Sequence, residues 1–202
     1  MSERVLKRFV VLMGLLLLVT VIAWPFMENF LRQEPGDYHT KQGDQQLTSG
    51  EFELALKSFG LALQEMPDHR GALMGRALVF IQTGRYPEAV EELTYLIGRL
   101  EETLEPDDST GRGALAAAYA NRGVVHDREA RYEEALIDYV RSLQVDEGVT
   151  EGPGIFDQIL YGYRPSTVRD RAIYLQEQLR LPEDQRVMRV PEKDAEQRMH
   201  KP

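Results

Sequence analysis

The sequence predicts an all-α protein: a solenoid of three helical hairpins with a C-terminal capping helix, behind an N-terminal transmembrane helix. One observation is a stretch without charges at 9–27. The other is a short pattern that recurs three times at a spacing typical of helical repeats. The chain has 202 residues, which is enough for one domain and an anchor.

The uncharged stretch 9–27 is predicted to be a membrane anchor. A helix of this length reaches roughly 28 Å, close to the hydrocarbon thickness of a bilayer. A cleaved signal peptide would carry small residues at its cleavage site, whereas Trp24, Pro25 and Phe26 follow Ala23. A buried core helix would be amphipathic, and this stretch is apolar all round. We therefore expect an uncleaved span with Trp24 and Phe26 at the far interface.

The charges that flank the span predict its orientation. Arg4, Lys7 and Arg8 precede it against a single Glu3, and acidic residues predominate after it. By the positive-inside rule, residues 1–8 are cytoplasmic and the rest of the chain is exported, to the periplasm if the protein is bacterial. Residues 28–35 then form a linker.

The charge balance excludes several classes of partner. The formal net charge is −9, and residues 1–8 contribute three basic and one acidic side chain, so the remainder carries −11. Such a surface repels phosphate backbones, which argues against nucleic-acid binding. There is no cysteine, so disulfides and thiolate zinc sites are excluded.

A six-residue pattern recurs three times in the middle of the chain, at 50–55, 84–89 and 130–135. It has a small residue first, an aromatic residue third and alanine sixth. The first two alanines are 34 residues apart, and the third lies 46 further on, which is one more period plus an insertion of 12. The small residue can adopt the left-handed backbone conformation that ends a helix, the aromatic ring fills the turn between two antiparallel helices, and the alanine lets these helices approach closely.

These residues resemble the tetratricopeptide repeat (TPR) family, whose 34-residue helix-turn-helix unit also has a small residue at its eighth position. Here that position is Gly43, Ala77 and Gly123. The resemblance implies repeats at 36–69, 70–103 and 116–147, with an inserted exposed loop at 104–115. The seventh position is polar in all three units, so we expect loose packing there.

The C-terminal part departs from the repeat. Residues 148–190 are predicted to be a capping segment, with a helix that starts at Ser166 as N-cap and seals the last repeat. Pro182 could begin a further short helix. Residues 191–202 are expected to be an extended or disordered tail.

No pattern predicts chemistry. The four histidines have no metal-ligand spacing, the adjacent acidic pairs are typical of solvated faces, and neither a phosphate-binding loop nor a nucleophile elbow occurs. We predict no enzymatic activity, no small-molecule substrate, no cofactor and no metal site.

The resemblance to TPR units implies a binding groove lined by the fifth, ninth, twelfth and thirteenth residues of each repeat. Its apolar middle would hold an extended or helical peptide of a protein partner. Alternatively, the chain's own residues 155–161 fill the groove. The groove residues are Thr40, Asp44, Leu47, Thr48, Met74, Leu78, Ile81, Gln82, Ala120, Val124, Asp127 and Arg128.

The clamp that some TPR domains use for chaperone C-termini is not expected. Its basic and asparagine positions would fall on Thr40, Asp44, Gly75, Ala117 and Asn121, of which only the asparagine fits. The function that we predict is a membrane-tethered scaffold or adaptor that supports assembly of a complex. The alternative is a periplasmic assembly chaperone with broad, weak client binding. For the adaptor, replacement of Leu78 by aspartate at the centre of the groove is expected to weaken partner capture without unfolding the domain.

Overall fold

A computed structural model of the chain describes residues 3–31, 34–146, 167–191, 194 and 199. Its longer elements are all α-helices, and a short 3₁₀ turn follows the last of them. The helices are α1 (Glu3–Leu31), α2 (Asp37–Thr48), α3 (Phe52–Glu65), α4 (Arg70–Gln82), α5 (Tyr86–Thr103), α6 (Ser109–Arg128), α7 (Tyr132–Val145) and α8 (Val168–Leu179), and the 3₁₀ turn is Glu183–Gln185.

Helix α1 is long and apolar enough to cross a membrane. Its segment Leu6–Trp24 has 19 residues and a mean hydropathy of 2.3, and none of it is buried. A 29-residue helix also extends beyond the predicted span on both sides and runs into the predicted linker 28–35. By length and composition, α1 therefore qualifies as a single membrane span.

The next six helices form three hairpins that stack in sequence. Helix α2 packs on α3, α4 on α5 and α6 on α7, and the hairpins join through contacts of α3 with α4 and of α5 with α6. The first helices also touch each other, α2 with α4 and α4 with α6. This nearest-neighbour arrangement confirms the predicted helical-repeat solenoid.

The three turns within the hairpins share one backbone geometry. A residue in the left-handed region ends the first helix, and the N–H of the next residue donates to a carbonyl five residues earlier, at 2.8 Å in all three turns. The left-handed residues are Gly50 (φ 76°), Gly84 (φ 74°) and Ala130 (φ 61°). Alanine adopts this conformation at a cost of roughly 1–2 kcal/mol, so the third turn is held by its surroundings.

Small residues let the helices of each hairpin approach closely. Ala55, Ala89 and Ala135 are completely buried. The ring of Phe59, itself completely buried, lies between Gly43 of α2 and Gly75 of α4: a Cβ added at Gly43 would stand 2.6 Å from its Cε1. The eighth-position glycine Gly43 and the pattern alanines are thus points of close contact between helices.

The polar seventh positions form ion pairs across the second and third hairpins. Arg76 donates to both carboxylate oxygens of Glu92 at 2.7 Å, and Arg122 makes a bidentate pair with Asp138 at 2.8 Å. Burial raises the pKa of Glu92, even though Arg76 acts in the opposite direction. The expected loose packing at these positions is therefore wrong for repeats two and three.

The 12-residue insertion is mostly helical, in contrast to the predicted loop at 104–115. Helix α5 runs on to Thr103 and α6 begins at Ser109, so the two longest helices of the repeat domain absorb it. The carboxylate of Asp108 accepts a hydrogen bond from the N–H of Gly111 at 2.7 Å and caps α6. Because Asp108 caps α6 this early, most of the inserted segment is helical instead of forming a loop.

Helix α8 seals the third hairpin, as predicted. It packs on α7, and its Val168, Ala172 and Leu175 are buried with Tyr139 and Val124 in a second core cluster. The N-cap is Thr167 rather than Ser166, because Thr167 and Asp170 form a reciprocal capping box. Residues 147–166, which include the segment 155–161, lie outside the described residues.

Part of the predicted tail is anchored rather than free. The carboxylate of Asp194 lies 3.6 Å from Arg171 and 3.7 Å from Arg189. Met199 packs against the larger core cluster, to which helices α2 to α6 contribute. Asp194 and Met199 therefore both contact the folded domain.

Candidate interaction site

The helices α2, α4 and α6, each the first of its hairpin, lie side by side and form one face of the repeat domain, here called the first-helix face. In repeat solenoids this is the concave surface on which partners bind. All twelve of the predicted groove residues lie on these helices.

The centre of the first-helix face is core rather than open surface. Met74, Leu78 and Ile81 are 2%, 4% and 1% exposed, because α4 is surrounded by α2, α3, α5 and α6. The amide of Asn121 reaches across from α6 and lies 3.4 Å from the sulfur of Met74. A charged residue at position 78 would therefore disrupt the core, and the expectation that Leu78→Asp leaves the fold intact is wrong.

The third-repeat end of this face is occupied by α8. The Arg171 guanidinium donates to both carboxylate oxygens of Asp127 at 2.7 Å, and the Tyr139 hydroxyl donates to the same carboxylate at 3.2 Å. Ala120 and Val124 are buried in the cluster that α8 completes. These three predicted groove residues therefore serve to hold the cap.

The remaining predicted residues lie at the edges of the face. Thr48 and Gln82 are exposed at the ends of α2 and α4, whereas Leu47 is buried in the first core cluster. The carbonyl of Arg128 accepts from Arg189 at 2.9 Å. Thr40 and Asp44, from the first repeat, line a cavity on this face.

That cavity, here called the insertion cleft, has a volume of about 650 Å³, within the usual range of ligand sites. One wall is the face of α2 that carries four residues at helical spacing, and the opposite wall is the extended start of α6. The lining residues are Glu34, Asp37, Thr40, Lys41, Asp44, His69, Arg70, Gly71, Thr110 and Ala114.

The insertion builds the second wall of the cleft. Thr110 and Ala114 belong to the part of α6 that precedes the repeat unit, and α6 has 20 residues against 13 in α4. Asp108 fixes this extension to α4 by an ion pair with Arg70 at 3.0 Å. The N–H of Gly111, followed by the guanidinium of Arg70, lowers the pKa of Asp108.

The cleft is lined by the imidazole of His69, held by two hydrogen bonds, and by the buried hydroxyl of Thr40. Nδ1 of His69 accepts from the N–H of Ala72 at 3.2 Å, so Nε2 carries the proton and donates to Asp37 at 3.1 Å. Thr40 is only 8% exposed, and its Oγ1 has no hydrogen-bond partner among the described residues. A buried hydroxyl of this kind favours a ligand that supplies a hydrogen bond.

The sequence profile of the tetratricopeptide repeat family matches residues 40–101, which span most of the first two hairpins. The third hairpin has the same turn geometry, and it shares the Arg-to-acid pair of the second hairpin. The chain is a tetratricopeptide repeat protein. Its repeats stack from α2 to α7, and α8 caps the last of them.

The solved structures that are similar to this TPR protein include two other TPR domains. One is the first TPR of Spaghetti (RPAP3) bound to the HSP90 peptide SRMEEVD, with 17% sequence identity and a TM-score of 0.46 over 56% of this chain and 80% of that one. The other is the TPR domain of Arabidopsis OM64, with 17% identity and a TM-score of 0.46 over 56% of this chain and 84% of that one. No curated protein sequence matches this chain.

The positions of the carboxylate clamp do not form a clamp in this TPR protein. Thr40 and Asp44 line the insertion cleft, whereas Gly75, Ala117 and Asn121 are buried in the helix packing. Across the described ranges, no three His, Asp or Glu side chains are grouped as metal ligands.

Sequence reasoning missed the insertion cleft because it treated the insertion as a loop. One signal was available: Asp108 stands three residues before Gly111, ahead of a run of alanines that favours helix. The ion pairs at the seventh position also left a signal, since Arg76 with Glu92 and Arg122 with Asp138 are each 16 residues apart.

Proposed function

We propose that this TPR protein is a membrane-tethered adaptor that binds a peptide segment of a protein partner in the insertion cleft. The observation that carries the proposal is the cleft itself. It is the cavity that retains predicted groove residues, Thr40 and Asp44, while the centre and the third-repeat end of the same face are filled.

The chemistry of the lining suits a polypeptide. Thr40 and Thr110 offer hydroxyls, and Asp44 and Lys41 place opposite charges one turn apart on α2. An extended backbone presents N–H and C=O groups that can pair with such side chains, and charged groups at the mouth would select its side chains. We propose no catalytic step, cofactor, metal or small-molecule substrate for this site.

The position of the cleft supports a partner at the membrane. Glu34 lines the cleft and lies three residues beyond the end of α1 at Leu31, a chain length of roughly 10 Å. If α1 spans the bilayer, the cleft opens close to the membrane surface. The acidic flank of α1 supports an exported repeat domain, periplasmic in a bacterium.

A chaperone with broad client binding is less well supported. Such a protein needs open apolar surface, and Met74, Leu78 and Ile81, which would have supplied it, are buried. The cleft that remains carries charged groups from α2 and α4 in its lining, which favours a partner with complementary charges.

The cleft is tested by Thr110→Arg, which places a long side chain in it from an exposed position on α6, with Gln64→Arg on the exposed face of α3 as matched control. Both variants are expressed in full length in the native cell, and neighbours are quantified by proximity labelling and mass spectrometry. Proteins enriched with wild type should be lost with Thr110→Arg and retained with Gln64→Arg. Equal recovery with both variants would remove the cleft from consideration.

The tether is tested with single cysteines, because the natural chain has none. In intact cells a membrane-impermeant maleimide should label Glu91→Cys on α5, and it should label Ser2→Cys only after lysis. Labelling of Ser2→Cys in intact cells would overturn the orientation, and extraction of the protein from membranes by carbonate at high pH would overturn the span.

A further inference from the structure

The C-terminal end of α6 binds an arginine from a distant part of the chain. The guanidinium of Arg189 donates to the backbone carbonyl of Asp127 at 2.7 Å and to that of Arg128 at 2.9 Å. Its central carbon lies 5.9 Å from the centre of the Tyr132 ring. The last carbonyls of an α-helix carry partial negative charge, and the aromatic face adds to it, so this surface favours a cation with several donors.

The arginine belongs to a segment that returns over α8. We call residues 182–191 the strap. The N–H of Val187 donates to the side-chain carbonyl of Gln178 at 2.8 Å, and its carbonyl accepts from the Tyr174 hydroxyl at 2.5 Å. The carbonyl of Met188 accepts from Arg171 at 3.1 Å. The strap therefore binds through its backbone, as an extended peptide ligand does.

The strap is attached much less deeply than α8. Val187 is 57% exposed and the side chain of Arg189 is 40% exposed, whereas Leu175 of α8 is completely buried. The apolar contact that core clusters record for the strap comes from Met188, which is half-buried. Segments with few buried contacts and exposed hydrogen bonds open far more often than the core does.

The strap covers the part of the molecule where the repeat pattern predicts partner contacts. Arg189 occupies carbonyls of Asp127 and Arg128, two predicted groove residues. The strap therefore binds at the third-repeat end of the first-helix face.

We propose that the strap is a tethered, displaceable ligand of the first-helix face, and that the end of α6 is a second interaction surface for an extended segment that carries an arginine. Its resident occupant is the chain's own strap. A protein partner gains this surface by supplying a competing arginine-bearing segment. This surface is separate from the insertion cleft and does not depend on the function proposed for it.

The test uses the full chain in detergent and a fluorescent synthetic peptide of residues 182–202 as probe. Arg189→Ala weakens the resident strap, and Arg180→Ala, an exposed arginine at the end of α8, is the matched control. The peptide should bind Arg189→Ala on the order of tenfold more tightly than wild type, because the competing intramolecular contact is weakened. The control should behave as wild type, and a peptide with its own Arg189→Ala change should lose the gain.

Hydrogen exchange separates a displaceable strap from an integral one. In Arg189→Ala the amides at 187–194 should exchange at least about tenfold faster, while those of α8 keep their wild-type rates. Peptide binding that is equal in wild type and variant, or absent from both, would overturn the proposal. Loss of protection in α8 together with the strap would also overturn it, since the strap would then be part of the fold.

Discussion

Replacement of Arg171 by alanine should destabilise the repeat domain more than any single surface change. Asp127 is completely buried, and Arg171 supplies two of its hydrogen bonds at 2.7 Å each. Without the guanidinium the carboxylate keeps the Tyr139 hydroxyl at 3.2 Å. A buried charge that loses its partner costs about 3–5 kcal/mol. For a chain of this size that corresponds to a fall in melting temperature of roughly 6–20 °C.

The measurement is thermal unfolding of the full chain in detergent, followed by circular dichroism at 222 nm. Arg99→Ala is the control, because Arg99 pairs with Asp68 at 2.8 Å but both side chains are more than a third exposed. That variant should melt close to wild type. The double variant Arg171→Met with Asp127→Leu removes both charges and should recover most of the loss. A single Arg171→Ala variant that melts like the control would refute the reasoning.

Three further predictions concern packing, pH and length. Gly75→Ala should lower the free energy of unfolding by about 1–3 kcal/mol, because the added Cβ meets the buried Phe59 ring. Gly98→Ala adds a Cβ that meets nothing within 4 Å, so it should stabilise the helix slightly. Urea unfolding of the two variants tests this, and equal midpoints would contradict it. Burial lowers the pKa of His126 below its ordinary value of 6.5. The stability that neutral His126 contributes is therefore complete above pH 6.5 and is lost as the pH falls through the lowered pKa. Between about pH 7.5 and 5 the melting temperature of His126→Gln should fall less than that of wild type, and parallel plots of melting temperature against pH would count against this. Removal of residues 148–202 uncovers Tyr139 and should leave an aggregating product, which a cooperative melt at the original midpoint would disprove.

The repeat architecture was predictable because each unit uses local chemistry that a sequence displays directly. A left-handed residue, an aromatic residue and a buried alanine follow one another within six positions, and all three copies fold alike. The cap was predictable for the same reason, since Val168, Ala172 and Leu175 share one helix face. Its N-cap shifted by one residue because Thr167, unlike Ser166, stands three before an acid that completes the capping box.

The binding face was less predictable because exposure depends on contacts between elements far apart in the chain. Met74 and Leu78 occupy positions that face a partner in an open solenoid, but here α4 is enclosed on four sides. Asp127 reads as a polar groove residue until Arg171, 44 positions later, is placed against it. Spacing within a repeat predicts the direction of a side chain, but it does not predict which residues of other repeats or of α8 will contact that side chain.

The insertion and the cap act on opposite ends of the same face. Extension of α6 by the insertion raises a wall opposite α2 and creates a cleft, and Glu34, three residues beyond the end of α1, joins the lining. At the other end, α8 and the strap satisfy Asp127 and the last carbonyls of α6. A three-repeat solenoid has two exposed ends that must be closed for stability, and closing the far end costs binding surface. The insertion, which lengthens the start of α6, restores a cavity between α2 and α6 in which the proposed partner segment would bind.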